Sequence, residues 1–376
     1  MQGKENKKTS FFSIPWVQTI TASLICILLG LLIGFIALLI INPENAWDGI
    51  VTVLKNFWNY KQATKQVKYF GQTLVKMVPL LMCSLSVLFA YKVGLFNIGV
   101  AGQYVIGAGA SLYCALGLGM PWWVCLMAAM VFGAVWGAIP GILKAYRNVN
   151  EVISGIMLNW IGLYLINTIL TQVKNPTGKD TFTVASKNPS ALIPSLGLGS
   201  LFNNEKTVTI AIPLAIIIAV AVWVLLSKTR LGYELKATGL NKNAAMYCGM
   251  REKFNIILTT AIAGALAALG AAMLFLTDSM QWECTQSSVP AMGFNGIAAA
   301  FLGGLNPIGT IFSAYFIQHI TEGGAQLTKL GYFSQISDFI SSFIIYLCAF
   351  VLFFRGIMNR KPGDRAGRSK KGGKKA

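Results

Sequence analysis

The sequence predicts an all-α, polytopic membrane protein with about ten transmembrane helices and internal repeats. Three observations carry that reading. Several apolar runs reach or pass the roughly 18–20 residues that cross a bilayer. Of the 376 residues, 55% are hydrophobic and only 12% are charged, against about 25% charged in a soluble domain. Two similar glycine-interrupted stretches also occur, one in each half of the chain. The first, Leu95–Gly117, opens on Phe96-Asn97-Ile98-Gly99. The second runs from Gly293-Phe294-Asn295-Gly296-Ile297 into Phe301-Leu302-Gly303-Gly304. Each glycine costs a helix about 1 kcal/mol relative to alanine, and an unpaired amide in hydrocarbon costs several kcal/mol. Such stretches persist when they pack closely on neighbours or line a cavity. Paired glycine-interrupted segments in two halves point to a transport site at a repeat interface. Close-packed helices with small-residue faces would give the same composition.

Taken in order, residues 1–15 form a polar tail with Lys4, Lys7 and Lys8. The run Trp16–Ile41 is a first helix. Its apolar part is too long for a secretory signal, and no small-x-small cleavage site follows. Residues 42–71 read as a polar loop whose Trp47, Trp58 and Tyr60 suit the membrane interface. Helices are then expected at Thr73–Tyr91, Leu95–Gly117, Pro121–Leu143 and Val152–Thr171. Residues 172–206 are rich in Pro, Gly, Ser and Asn and read as an outer loop with little regular structure. Thr207–Leu226 is a further helix, and the polar stretch Ser227–Lys253 follows. The last helices are Phe254–Thr277, the short Met292–Gly304, one opening at Asn306-Pro307 and fading at Glu322, and Ile336–Phe354. The membrane domain therefore covers 16–354, with a cytoplasmic loop over 228–253, and 355–376 form a basic tail.

The charge distribution orients this arrangement. An even number of crossings puts both termini on one side. Lys and Arg gather in the basic tail and in the 228–253 loop, as expected for cytoplasmic segments. The net charge of +18 follows from that placement. No nucleic-acid recognition module accompanies it.

Few chemical motifs accompany these helices. The seven cysteines make no Cys-x-x-Cys pair and no disulfide framework. The single histidine, His319, sits late in an apolar run without partner ligands and reads as a packed or pore-side residue, so no metal site is expected. No Gly-x-x-x-x-Gly-Lys-Ser/Thr loop, zinc-protease motif or Gly-x-Ser-x-Gly elbow occurs. The expected helices hold almost no carboxylate, whereas ion-coupled carriers retain some for function. Transport by such a chain needs an external motor. The 228–253 loop offers a connection to one. Asn241 can cap a short helix from Lys242 to about Tyr247, and Gly249 can end it. Such a helix is either a projection that a partner pushes or a solvated loop helix.

The set Leu95-Phe-Asn-Ile-Gly-Val-Ala-Gly-Gln103, Glu151-Val-Ile-Ser-Gly-Ile-Met-Leu-Asn-Trp160, the Leu231–Met250 loop and Gly293–Thr310 resembles the permease subunits of bacterial ABC importers for nucleosides and simple sugars. The resemblance covers about Gln72 to Phe354 and is strongest to the longer permease of purine-nucleoside, guanosine-type systems. Four motifs in the right order carry it. The family's usual Phe-Asn-Ile-Gly-x-Glu-Gly-Gln has alanine here, Ala101, at the Glu position. The resemblance implies the ABC importer permease fold and ATP-driven nucleoside import, with sugars of the ribose or galactose type as the alternative cargo. It implies a second permease (a heterodimer), cytoplasmic ABC ATPases that bind the ATP and Mg, an external substrate-binding lipoprotein, and a plasma-membrane location. No cofactor is expected in this chain. Phe96, Asn97, Gly99 and Gln103 would line the path from one half, with Phe294, Asn295 and Asn306 from the other and Asn159 between. The coupling helix would lie within Gly239, Leu240, Asn241, Ala244, Ala245, Tyr247 and Gly249.

Overall fold

The computed structural model describes residues 15–348 together with Phe350 and Gly356. The two terminal tails, and the last helix beyond Cys348, lie almost entirely outside these residues. The described chain is built from helices, and its few extended pairings are the isolated antiparallel bridges Lys174–Thr181 and Asp180–Glu283.

α1, Pro15–Ile41, starts with proline in its first turn, where the missing N–H costs nothing. The stretch expected as a polar loop is mostly helical. α2, Ala46–Lys55, is a short amphipathic helix that buries Ala46, Gly49, Ile50 and Val53. A 3-10 turn follows over Asn56–Asn59, and α3 begins already at Ala63 and runs to Lys92. At 30 residues α3 is about 45 Å long, so its polar first turns project beyond the roughly 30 Å hydrocarbon layer. Their lysines gave a loop-like composition to residues that are helical.

The stretch opening at Leu95 is also not helical from its start. α4 covers Val100–Leu112 and continues through a π-helical turn, Tyr113–Gly117. α5, Trp122–Arg147, ends at Asn148 in the left-handed conformation, with Lys144 and Arg147 in its last turn, where cations complement the helix dipole. α6, Glu151–Leu170, is capped by the Asn150 side chain, which accepts from Val152 N–H at 2.9 Å. The segment 172–206, expected to lack regular structure, holds short helices at Val184–Lys187 and Leu198–Leu201. Asn188 Nδ2 donates to Ala115 O at 2.9 Å and Met120 O at 3.0 Å. Loop composition thus serves to satisfy orphaned carbonyls at a helix end.

α7 is Ala211–Lys228. The stretch 227–253, where one short helix is expected, holds two: α8, Arg230–Leu240, and α9, Lys242–Tyr247. The Thr229 hydroxyl begins α8 by accepting from Gly232 N–H at 3.1 Å. α10 is Glu252–Phe275, α11 Ala291–Leu302, α12 Pro307–Ala325 and α13 Ser334–Cys348.

α3, α4 and α10 form the buried centre, and α1, α5, α6 and α7 expose most of their apolar surface outward, as lipid-facing helices do. Gly133 and Gly137 of α5 meet Gly264 of α10 backbone to backbone, the small-residue packing that membrane helices use. Among the described residues, seven helices are long and apolar enough to span a bilayer: α1, α3, α4 with its π turn, α5, α6, α7 and α10. At 12 residues α11 is about 18 Å long. It covers about half of the hydrocarbon thickness.

Candidate functional site

α4 and α6 lie parallel and in register. Gly99 lies against Gly155, Gly102 against Asn159, and Gly109 against Ile166. α6 is about 30 Å long, so Asn159 marks its middle. Buried amides hold this register. The Asn159 Oδ1 accepts from Gly102 N–H at 2.7 Å, and its Nδ2 donates to Ile98 O at 3.1 Å. Asn97 Nδ2 donates to Gln103 Oε1 at 2.8 Å and to Ser86 Oγ at 3.0 Å, while Gln103 Nε2 donates back to Asn97 Oδ1 at 3.2 Å. These bonds fasten the non-helical Leu95–Gly99 segment to α3, α4 and α6. Phe96 beside them is half-buried and Gly99 buried.

The second Phe-Asn stretch lies next to the first. A methyl group on Gly293 would come within 2.5 Å of Ala101 Cα, and one on Gly296 within 2.8 Å of Cys83 Cβ. α11 therefore starts level with the beginning of α4, close to mid-depth on the α6 scale. Ala101 is fully buried against this contact, and a Glu side chain would have to displace α11. Phe294 is 41% exposed and Asn295 half-buried. Asn306 lies apart from this group, beyond the far end of α11. Its side chain accepts from Ile308 N–H at 2.9 Å and caps α12.

The approach to α11 contains residues that the sequence reading passed over. Gln286 O accepts from Asn167 Nδ2 at 2.9 Å, and Asn167 Oδ1 accepts from Trp282 Nε1 at 3.0 Å. Asn167 is eight residues, about 12 Å, along α6 from Asn159. Between Gln286 and Gly293 the chain descends by that amount, with no helix before Ala291. Non-helical backbone at such depth exists only when covered by protein or facing a water-filled cavity. Ser287 and Ser288 are exposed. The Gln286 Nε2 is shielded from solvent without a hydrogen-bond partner among the described residues. The signal in the sequence is the run Thr285-Gln286-Ser287-Ser288 placed directly before an apolar helix. Its composition resembles any surface turn. Nearby Cys284 is buried, and burial pushes its thiol pKa up, with Asp180 adding to the rise and Lys174 opposing it.

The α8–α9 arm projects from the opposite end of α11. Asn241 Oδ1 accepts from Ala244 N–H at 3.1 Å and caps α9, as its position predicts. Gly249, at φ +80°, follows the helix end. Ala245 is buried beneath α9, while Ala244 is exposed and Leu240 and Tyr247 stand 89% and 90% exposed. Gly239 meets the Val93–Gly94 turn backbone to backbone, with a methyl on Gly94 only 2.9 Å from Gly239 O. Gly94 has φ +80°, a conformation that favours glycine. Asn255 Nδ2 donates to Thr238 Oγ1 at 2.8 Å and ties the arm to α10. The arm thus rests on the turn that leads directly into Phe96 and Asn97.

His319 is packed rather than open. Its Nε2 lies 2.9 Å from Leu54 O and its Nδ1 3.3 Å from Asn56 Nδ2. Lys76 pairs with Glu322 at 2.9 Å on the same side of the molecule.

Residues 69–349 match the family described as the branched-chain amino acid transport system, permease component. The chain belongs to this permease family. It is a multi-pass membrane protein and a component of a transport system. Its relatives include the nucleoside ABC transporter permease protein NupB of Lactococcus lactis subsp. cremoris, 33% identical over 99% of this chain and 100% of that protein. The guanosine ABC transporter permease protein NupP of Bacillus subtilis is 30% identical, over 90% of this chain and 95% of that protein. The glucose ABC transporter permease protein TsgB13 of Haloferax volcanii is 29% identical, over 91% and 90%.

Proposed function

We propose that this chain is a membrane subunit of an ABC importer for nucleosides, with purine nucleosides such as guanosine as cargo. One observation supports a pathway here above the rest. Two Phe-Asn stretches from distant parts of the chain lie side by side at half depth, where a short helix starts from a non-helical segment. Discontinuous helices of this kind mark transport sites at mid-membrane. The half-buried Asn295 amide suits a neutral cargo, because it donates and accepts without requiring charge, while the buried Asn97, Gln103 and Asn159 amides hold the backbone beside it. The Phe96 and Phe294 rings offer faces for a base or sugar. The relatives named for nucleosides favour that cargo. The relative named for glucose supports a simple sugar as the second reading.

In this reading the termini and the α8–α9 arm are cytoplasmic. The arm engages a partner ATPase that binds ATP and Mg, and residues Gly239 to Gly249 form the contact. A second permease completes the path, and an external lipoprotein delivers the cargo. Closure of the ATPases pulls the arms and switches the path between its facing states. The test is uptake of radiolabelled guanosine by cells with and without this chain, in a background lacking other nucleoside carriers. Loss of uptake on deletion, with no competition from unlabelled ribose, is expected. Strong competition by ribose would move the cargo to sugars. Ala244→Asp should lower substrate-stimulated ATPase activity of the assembled complex. Unchanged activity would remove α9 from the coupling contact.

A further inference from the structure

We infer that the strap Gln286-Ser287-Ser288 is a contact site for the hydroxyl and amide groups of the carried molecule, placed between the mouth of the path and the paired Phe-Asn stretches. The inference rests on the transport reading above and extends it to residues outside the family motifs.

The strap hangs from Asn167 near one end of α6 and delivers the chain to Gly293 beside Ala101, about 12 Å deeper. Its serines are exposed on this chain. Facing lipid, backbone and hydroxyls without a helical ladder would cost several kcal/mol each, so the stable arrangement is a wet path, enclosed by this chain alone or together with the second permease. The Gln286 carbonyl is held by Asn167 and its Nε2 is shielded from solvent, so Gln286 anchors the strap and the two serines carry its exposed polar groups.

The chemistry of the site selects a class of ligand. Between Glu283 and Glu322 the chain carries no Asp, Glu, Lys or Arg, and none occurs from Val93 to Leu143 on α4 and most of α5. Below the strap both flanking segments are therefore uncharged, while at its mouth Lys174 and Asp180 act on Cys284 and the Lys179 carbonyl accepts from Cys284 N–H at 2.9 Å. A phosphorylated ligand moving below the strap would lose its hydration there without a compensating cation. A neutral polyhydroxylated molecule finds hydroxyl and amide partners for its ribose, and the exposed Phe294 ring below offers an apolar face to a base.

The experiment uses the assembled transporter in cells. Ser288→Cys is treated with a membrane-impermeant thiol reagent, with the unsubstituted chain as background. Buried Cys284 is expected to stay silent in both. Labelling of Ser288→Cys that guanosine slows is the expected result. A failure to label overturns the inference, as does labelling that neither nucleoside nor sugar affects. Protection by a sugar alone keeps the strap as a contact and overturns the nucleoside reading, so the two failures separate. In parallel, Ser287→Ala and Ser288→Ala should raise the KM for guanosine about two- to tenfold each, the range for one lost neutral hydrogen bond, with the maximal rate kept. Guanosine monophosphate should not compete. Unchanged KM in both variants would overturn the assignment.

Discussion

At the scale of single residues, the amides near mid-depth hold the backbone before they meet any cargo. Asn97 makes three hydrogen bonds with Gln103 and Ser86, all among buried side chains. Asn97→Ala leaves Gln103 and Ser86 short of partners. Each orphaned buried group costs about 1–3 kcal/mol. The variant should therefore lower the thermal midpoint of the purified protein clearly. Lys76→Met should do far less, although it breaks an ion pair. Lys76 is 44% exposed, and Glu322, 21% exposed, keeps the Gln318 amide as a donor at 3.0 Å, so this partly exposed pair contributes about 1 kcal/mol. Equal losses from the two variants, read by thermal unfolding in detergent, would contradict this ranking. Ala101 explains itself at the same scale. The departure from the family's usual Glu is visible in the sequence, but its reason, the close approach of Gly293, is visible only in three dimensions.

At the scale of elements, the α8–α9 arm meets the Val93–Gly94 turn without an intervening side chain. In the proposed coupling, a displacement of the arm passes through this contact to the segment that carries Phe96 and Asn97. Gly239→Ala forces these backbones apart. The expected outcome is a complex that still assembles and hydrolyses ATP but transports several-fold less cargo per ATP. A parallel fall in hydrolysis and transport would show that the contact only supports folding. Asn241→Ala removes the cap of α9 at about 1 kcal/mol, while Asn241→Asp keeps an acceptor. Coupling should suffer in the first and survive in the second, measured as substrate-stimulated ATPase activity. α9 was legible because its cap and its terminal glycine are local signals. α8 was not, since Gly232, Gly239 and several charges gave it the composition of a loop. The polar first turns of α3 were hidden for the same reason. Composition reports where water is, and a helix projecting from a membrane stands in water.

At the scale of the whole molecule, the all-α membrane architecture followed from hydropathy alone, because a bilayer leaves little choice of spanning structure. The half-length of α11 also followed from its short apolar run. Its vertical position did not. That position depends on Gly293 meeting Ala101 and on Asn167 holding Gln286, contacts between residues far apart in sequence. In the proposed reading the same contacts set the depth of the path between α4, α6 and α11.

Reconstituted transport tests this account most directly. The chain is purified with its partner permease and ATPase, placed in proteoliposomes with the binding lipoprotein, and supplied with radiolabelled guanosine and ATP. Guanosine accumulation and ATP hydrolysis are then measured together for the wild type and Gly239→Ala. The account predicts ATP-dependent accumulation by the wild type and hydrolysis without matching accumulation by the variant. Hydrolysis by the wild type with no movement of guanosine, or transport by Gly239→Ala at the wild-type ratio, would contradict it.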